Sequence, residues 1–292
     1  MKKPITVCAT GLGHPEGPYE LDDGRVIYAN TYASQIGVWD PQNRGAGVYA
    51  SVGGGPNACM LGSDGCVYST QTPTVGAWVA PVHRPPSIQK TSRSGKVEIL
   101  VTEADGVKFD GPNDLAFGPD GRLYFTDSGD WAPATRPHPG RIVVIEKSGK
   151  AHVLEELDHV YPNGIVVEPD GSIVWVESYT LNVVRRKPDG GKRVIHTMPE
   201  GHIPDGLKID IHGNLWITAV AAGGVDVIDP NGTPLHFLDT GGTILNCVFG
   251  KGGALYCCDM GPFDVTGSAM TGRLIKVDVG VEGMPLFRGA IG

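Results

Sequence analysis

Short apolar runs, rich in valine, isoleucine and leucine, recur along the whole chain, and turns that contain glycine separate them. Many of these turns carry Asp-Gly between two apolar runs, as at Asp120-Gly121, which is a strong signal for a β-hairpin. No segment shows a helical period of apolar residues over ten or more positions. The pattern of apolar and polar positions therefore predicts an all-β protein built from hairpins.

A longer pattern repeats six times: a polar residue near the start, a short apolar run, a glycine turn and a second β-rich run. The six copies begin at His14, Gly55, Gly111, Tyr161, Ile203 and Ile244. Their starts lie 41 to 56 residues apart, and a repeat of about this length without helices is typical of propeller blades. We therefore predict a six-bladed β-propeller that forms a single domain over residues 1–292.

Each blade is expected to contain four antiparallel strands, because a further pair of β-rich runs follows the hairpin. Residues 140–147 and 151–155 form such a pair in the third blade. The sixth blade shows one clear outer strand, at residues 273–278. We predict that residues 6–9 supply its fourth strand and close the ring, which would remove an exposed sheet edge.

One position of the repeat is polar in all six blades. It directly follows a proline in the first five blades and Leu245 in the sixth. It is occupied by Glu16, Asn57, Asn113, Asn163, Asp205 and Asn246. Because the first strand of a blade lines the central channel, these side chains are expected to form a ring around the axis. Carboxylate and amide oxygens suit Ca²⁺, with Mg²⁺ or Mn²⁺ as alternatives. Ordinary Pro-Asn and Pro-Asp turns are the competing explanation, and they do not account for Glu16.

Two long insertions follow the second strands of blades 2 and 3, at residues 72–89 and 128–139. They carry Trp78, His83, Arg84, Trp131, Arg136 and His138. The direction of the chain places both insertions at the end of the channel that lies beside the ring of polar side chains. Long loops on a rigid scaffold are common places for substrate contacts, so we expect the pair to act as a lid.

Charge and composition exclude several classes of function. The net charge of −8 argues against a nucleic-acid partner. No stretch approaches the roughly 18 apolar residues that a membrane-spanning helix requires. Lys2 and Lys3 are not followed by the apolar run of a secretory signal, so we expect a cytoplasmic protein with no membrane partner. The six cysteines form no C-x-x-C pair and are expected to be buried apolar residues.

Four motifs resemble those of the SMP-30/gluconolactonase/LRE-like family. They are Glu16-Gly-Pro, Pro112-Asn-Asp-Leu with the run to Asp127, Tyr161-Pro-Asn-Gly and Pro204-Asp-Gly-Leu. The resemblance implies a six-bladed propeller with a divalent metal in its channel, and it extends to sugar lactonases and to the related diisopropyl-fluorophosphatase. It also implies that Glu16, Asn163 and Asp205 coordinate the metal, with Asn113 as a fourth ligand or a substrate contact.

The function that follows is metal-dependent opening of a small lactone of the sugar type or a related one. The resemblance implies that Asp205 is the catalytic base or nucleophile. Substrate contacts are expected from Asn57, Asn113, Asn246, Asp127, Trp131, Arg136 and His138. Calcium is the expected metal, and Zn²⁺, Mn²⁺, Mg²⁺ or Fe²⁺ would also suit the site.

Three alternatives stay open. The same site could hydrolyse a phosphotriester or an aryl ester, or the propeller could bind a ligand without catalysis. The chain also resembles strictosidine-synthase-like propellers, which share Tyr161-Pro-Asn-Gly, although the pairing of Glu16 with Asp205 favours a hydrolase.

Overall fold

Six four-stranded antiparallel sheets make up the fold, and the predicted six-bladed β-propeller is confirmed. The computed structural model describes residues 3–262 and 269–292. In this part of the chain the sole helix is a single 3₁₀ turn at Thr31–Ala33. It therefore contains no helix long and apolar enough to cross a membrane.

Blades 1 to 3 follow one another along the chain. Blade 1 contains β2 (Pro15–Glu20), β3 (Val26–Asn30), β4 (Gln35–Asp40) and β5 (Gly45–Ser51). Blade 2 contains β6 (Gly55–Leu61), β7 (Val67–Thr72), β10 (Ser87–Thr91) and β11 (Val97–Val101). Two short hairpins lie outside the blades and consist of β8 (Thr74–Val75) with β9 (Trp78–Val79) and β12 (Glu103–Ala104) with β13 (Val107–Lys108). Blade 3 contains β14 (Pro112–Phe117), β15 (Leu123–Asp127), β16 (Arg141–Ile145) and β17 (Ala151–Glu156).

Blades 4 and 5 repeat this order, and blade 6 combines both ends of the chain. Blade 4 contains β18 (Pro162–Val167), β19 (Ile173–Glu177), β20 (Asn182–Arg186) and β21 (Lys192–Thr197). Blade 5 contains β22 (Pro204–Ile209), β23 (Leu215–Ala219), β24 (Gly224–Ile228) and β25 (Pro234–Asp239). Blade 6 contains β26 (Ile244–Gly250), β27 (Ala254–Asp259), β28 (Gly272–Asp278) and β1 (Ile5–Leu12).

The N-terminal strand closes the ring as predicted. Strand β1 pairs antiparallel with β28, from Ile5 opposite Val277 to Leu12 opposite Gly272. The predicted strand at residues 6–9 is therefore extended at both ends. Strand β1 is the outermost strand of blade 6, so it covers the edge of β28 that would otherwise be exposed and joins the two ends of the chain in one sheet.

The hairpin between the first two strands of a blade uses the turn chemistry that the sequence indicates. In blade 3, Gly121 has φ 76°, a conformation that glycine adopts without steric cost. The Asp120 carboxylate accepts a hydrogen bond from the backbone N–H of Arg122 at 3.0 Å. In blade 4, Asp170 accepts the equivalent bond from Ser172 at 2.8 Å. The Asp side chain thus stabilises the turn that its glycine permits.

Burial decreases from the channel outward. Strand β19 in blade 4 is buried at every position, because both faces of the sheet pack against neighbouring blades, whereas the outer strand β21 is mostly exposed. The last residues of the chain then cross the far end of the channel. There the backbone N–H of Ile291 donates to the Tyr68 hydroxyl at 2.9 Å, and Ile291 is fully buried. The C-terminal segment therefore covers one mouth of the channel and leaves the other for the site.

Candidate functional site

An irregularity in each inner strand turns the polar repeat position toward the channel. The register of the first strand against the second shifts in every blade, for example between Glu16 and Tyr19 in blade 1 and between Pro162 and Ile165 in blade 4. A bulge of this kind inserts an extra residue and re-aims the side chains on either side of it. Because the bulge recurs in all six blades, the predicted ring of polar side chains forms around one axis.

Hydroxyl groups tie these bulges together between blades. In blade 2, Thr70 accepts a hydrogen bond from the N–H of Ala58 at 2.8 Å and donates to the carbonyl of Asn113 in blade 3 at 2.5 Å. Thr126 donates to the carbonyl of Asn163 at 2.8 Å in the same way. Other described hydroxyl groups also donate to a backbone carbonyl of the next blade: Thr31 to Pro56, Ser128 to Pro162, Ser178 to Pro204 and Thr218 to Leu245.

Sequence reasoning missed these hydroxyls, although a signal was available. Thr70, Thr126 and Thr218 occupy the same place in the second strand of their blades. Each hydroxyl satisfies an N–H that the bulge frees and a carbonyl of the next blade. Buried backbone groups need such partners, so these threonines make the ring rigid.

The ring combines two carboxyl and four amide side chains, and each of these residues is at most 9% exposed. The Asn57 amide donates to Oδ1 of Asn113 at 2.9 Å, and the Asn163 amide donates to Oγ of Ser178 at 3.2 Å. Glu16, Asn57, Asn113, Asn163 and Asp205 line one cavity at the open end of the channel. The predicted metal ligands are therefore brought together.

Burial raises the pKa of both carboxyl groups of the ring. The pKa of Glu16 is about 8, because burial and repulsion by Asp114 outweigh the hydrogen bond from the N–H of Gly17. The pKa of Asp205 lies well above its ordinary value, first through burial and then through repulsion by Glu16 and Asp114. A positive charge bound beside them would favour the ionised form of both carboxyl groups.

The donor set fits a hard divalent cation. Oδ1 of Asn163 is buried and accepts no hydrogen bond from any described residue, and an unsatisfied amide oxygen beside two carboxyl groups is an available ligand. In residues 3–262 and 269–292, no three His, Cys, Asp or Glu side chains form a group that could hold a metal ion. A cation in this channel would therefore depend on amide oxygens as well as on Glu16 and Asp205.

Asn246 does not line the cavity, although its side chain hydrogen-bonds the Glu16 carboxyl group. Its amide is 3.4 Å from Oδ2 of Asp114, and Nζ of Lys208 is 3.4 Å from its Oδ1. Lys208 also lies 3.7 Å from the buried carboxylate of Asp114. Sequence reasoning assigned no role to Asp114 or Lys208. Together they form a pair of opposite charges next to the ring, and neither residue lines the cavity.

The two long loops meet over the cavity. The N–H of Gly76 in the first loop donates to Oδ1 of Asp130 in the second at 3.0 Å. Val75 and Trp131 both line the cavity. Trp78 packs instead on Tyr32, with ring centroids 5.2 Å apart. His83 and Arg84 are exposed to solvent.

The predicted substrate residues divide into two groups. Asn57, Asn113 and Trp131 line the cavity. Asn246, Asp127, Arg136 and His138 do not. The Asp127 carboxylate is fully buried, accepts a hydrogen bond from the N–H of Gly111 at 2.7 Å and pairs with Arg141 at 2.6 Å. Arg136 is exposed and its guanidinium lies 5.1 Å from the centre of the Tyr179 ring.

Two further aromatic side chains complete the cavity. His14 and Tyr161 stand at its wall, each two residues before a ring position. Burial lowers the pKa of His14 to about 4, and burial together with the nearby Asp205 carboxyl raises the pKa of Tyr161 well above its ordinary value. Both side chains are therefore neutral at physiological pH in this setting.

Comparison with known proteins defines the class that this fold and site represent. The model of the SMP-30/gluconolactonase/LRE-like region matches residues 14–260, so the chain belongs to that family and the predicted resemblance is confirmed.

Individual relatives agree with this assignment. The gluconolactonase of Zymomonas mobilis is 25% identical over 288 residues, which is 86% of this chain and 77% of that protein. The lactonohydrolase oryH of Aspergillus oryzae is 33% identical over 140 residues, 48% of this chain and 25% of that protein. The calcium-binding protein regucalcin from Agrobacterium tumefaciens has the same fold, with a TM-score of 0.79, 18% identity and coverage of 100% of this chain and 98% of the other. Two of these relatives carry the names of lactone hydrolases, in agreement with the predicted lactonase.

Proposed function

We propose that this chain hydrolyses a small uncharged lactone in the cavity at the open end of its channel, with a divalent cation, Ca²⁺ by preference, held by Glu16, Asn113, Asn163 and Asp205. The observation that carries the proposal is the ring itself: two buried carboxyl groups with raised pKa values beside an amide oxygen that has no partner. The calcium-binding neighbour and the lactonases of the same family support it.

The chemical step uses the acid–base capacity of Asp205. A cation bound by these oxygens supplies polarisation of the lactone carbonyl. The Asp205 carboxylate accepts a proton from a water molecule as the water oxygen forms a bond to the carbonyl carbon. The bond between that carbon and the ring oxygen then breaks, and the proton passes from Asp205 to the ring oxygen, which yields the open hydroxy acid.

The lining of the cavity favours a substrate without charge. Its described residues include no Lys or Arg, and the loop residue Asp130 lies in the same lining. Anionic groups such as phosphate or carboxylate bind where cationic side chains or backbone N–H clusters meet them. Val75, Trp131 and Val220 add apolar surface, which suits the ring of a neutral lactone.

Hydrolysis of glucono-δ-lactone and of a panel of neutral lactones tests the proposal. Activity should disappear with EDTA and return with Ca²⁺, and Asp205→Asn should lower kcat by about 10²–10⁴-fold. Asp170→Asn is the matched control, because this carboxylate lies in an exposed hairpin turn. 6-Phosphogluconolactone should be a poorer substrate than the neutral lactone.

The alternatives give different results in the same assay. A wild type that cleaves diethyl p-nitrophenyl phosphate or p-nitrophenyl acetate faster than any lactone would assign the site to ester or phosphotriester hydrolysis. A wild type that binds no Ca²⁺ and hydrolyses none of these compounds would contradict the proposal and favour a ligand-binding propeller.

A further inference from the structure

Two aromatic residues occupy the same place in blades 1 and 4. His14 precedes Pro15 and lies two residues before Glu16, and Tyr161 precedes Pro162 and lies two residues before Asn163. Both line the cavity that contains the ring. The equivalent positions of the other blades are Gly55, Gly111, Ile203 and Ile244.

Both residues hold a backbone conformation that is unfavourable for their side chains. His14 has φ 52° and Tyr161 has φ 55°. The other four equivalent positions do not have positive φ. A positive φ is uncommon outside glycine, and such strain persists mostly where the surrounding structure and a function maintain it. Glycine would remove the strain at either position, so the rings themselves must be what these positions require.

The two blades lie on opposite sides of the channel. The six inner strands form a closed circle in which β2 neighbours β6 and β26, and β18 neighbours β14 and β22. Strand β18 is therefore three places from β2 in either direction. Since His14 and Tyr161 directly precede these strands, their rings stand on opposite walls of one cavity.

Each ring is held in place while its polar atom stays free. His14 packs on Tyr32 with ring centroids 5.3 Å apart, and its buried Nδ1 has no hydrogen-bond partner among the residues that the structure describes. The Tyr161 ring packs edge-on against Trp131, with ring centroids 4.9 Å apart, and its centroid lies 5.2 Å from that of Tyr179. Its hydroxyl makes no hydrogen bond to any described residue. The buried Nδ1 of His14 without a partner is costly, and the Tyr161 hydroxyl belongs to a side chain that lines the cavity and can meet a ligand there.

We propose that His14 and Tyr161 are substrate-binding residues that hold the lactone ring from opposite sides, His14 through its imidazole ring and Tyr161 through its hydroxyl. The inference rests on the proposed function and adds the class of ligand: a ring that carries hydrogen-bonding groups on two opposite edges. Such a pair would set the rotation of the ring above Glu16 and Asp205 before the carbonyl reacts.

The test is steady-state hydrolysis of glucono-δ-lactone by the Ca²⁺-loaded wild type, His14→Phe, Tyr161→Phe and the double variant. Phenylalanine keeps an aromatic ring at each position and removes the hydroxyl of Tyr161 and the two ring nitrogens of His14. Each single variant should raise KM about tenfold, and the double variant about a hundredfold, because hydrogen bonds on separate walls contribute independently. The value of kcat should change less than about threefold, as expected for binding energy shared by ground and transition states.

Tyr124→Phe is the matched control. It removes a hydroxyl that bonds to Asp120 at 2.8 Å in blade 3 and does not line the cavity. It should lower the melting temperature slightly and leave KM unchanged. If His14→Phe folds poorly, His14→Ala serves instead, since it also removes the ring nitrogen.

The outcomes distinguish a failure of the His14–Tyr161 inference from a failure of the proposed lactone hydrolysis. An active wild type whose KM stays within about twofold in both single variants would overturn the inference and leave the proposed function intact. A change in only one variant would overturn the paired arrangement. A wild type that hydrolyses no lactone would overturn the proposed function, and the inference with it.

Discussion

Arg141→Met is expected to destabilise the protein strongly, because it leaves the Asp127 carboxylate buried without its counter-charge. Nη2 of Arg141 lies 2.6 Å from Oδ2 of Asp127, and the Asp127 side chain has no exposure to solvent. The N–H of Gly111 also donates to this carboxylate at 2.7 Å. This network joins β15 and β16 to the residues that precede Asn113 in the ring, so its loss should also disturb the site.

The magnitude follows from the burial of the pair. Removal of one partner of a buried ion pair typically costs about 3–5 kcal/mol. The backbone donors remain in Arg141→Met and compensate part of the charge, so we expect a loss of about 3 kcal/mol. At roughly 2–4 °C per kcal/mol for a chain of this size, the melting temperature should fall by about 6–12 °C.

The loss should depend on pH. Burial raises the pKa of Asp127 above its ordinary value even with Arg141 present, and removal of Arg141 should raise it further. A carboxyl group whose pKa is higher in the folded state loses stability as pH rises through the interval between the unfolded and folded values. The deficit of Arg141→Met should therefore be larger at pH 8 than at pH 5, where Asp127 can be protonated.

Denaturant unfolding of the wild type and Arg141→Met at both pH values measures this difference. The double variant Asp127→Asn/Arg141→Met should regain much of the lost stability, because no unpaired charge remains. A deficit below about 1 kcal/mol at pH 8, or one that grows on acidification, would refute the reasoning.

Three further outcomes are expected. Ca²⁺ added to EDTA-treated protein should raise the melting temperature more at pH 8 than at pH 5. The raised pKa values of Glu16 and Asp205 favour the protonated form of both groups at pH 5, and protons compete with the cation. An equal rise at both pH values in thermal melts would contradict this. Asp130→Ala removes the hydrogen bond from Gly76 that joins the two loops. The KM should rise severalfold with little change in melting temperature. An unchanged KM would argue against a role of this contact in the lid. Gly164→Ala directs a methyl group into the backbone carbonyl of Asp205. The free energy of unfolding should fall by about 1–3 kcal/mol, and Ca²⁺ binding measured by calorimetry should weaken. Wild-type Ca²⁺ affinity would show that the ring tolerates the displacement of Asp205.

The repeat in the sequence determined the blades, their strands and the ring. Strand alternation and turn chemistry are local properties, so Asp120-Gly121 and its equivalents place the hairpins without knowledge of the rest of the chain. One repeated polar position then predicts a ring, because rotational repetition brings equivalent residues to one axis. The same logic placed Glu16, Asn113, Asn163 and Asp205 together.

Only the tertiary structure decided which polar residues face the cavity. A bulge in each inner strand changes the direction of the side chains beside it, and whether a side chain then meets the cavity or a neighbour depends on residues distant in sequence. Asn246 is placed beside Asp114 and Lys208, and Asp127 is paired with Arg141 fourteen positions away. These pairings depend on the distances between blades, which no local pattern contains.

The contacts of the two loops and the conformations of His14 and Tyr161 also could not be predicted from the sequence alone. Loop length predicted two loops at one end of the channel, but the hydrogen bond from Gly76 to Asp130 joins residues 54 positions apart. The positive φ of His14 and Tyr161 follows from packing around the ring rather than from residue type, since both side chains disfavour it. Local propensity therefore determined the strands and turns, whereas contacts between blades determined the charges, strain and unpaired atoms of the site.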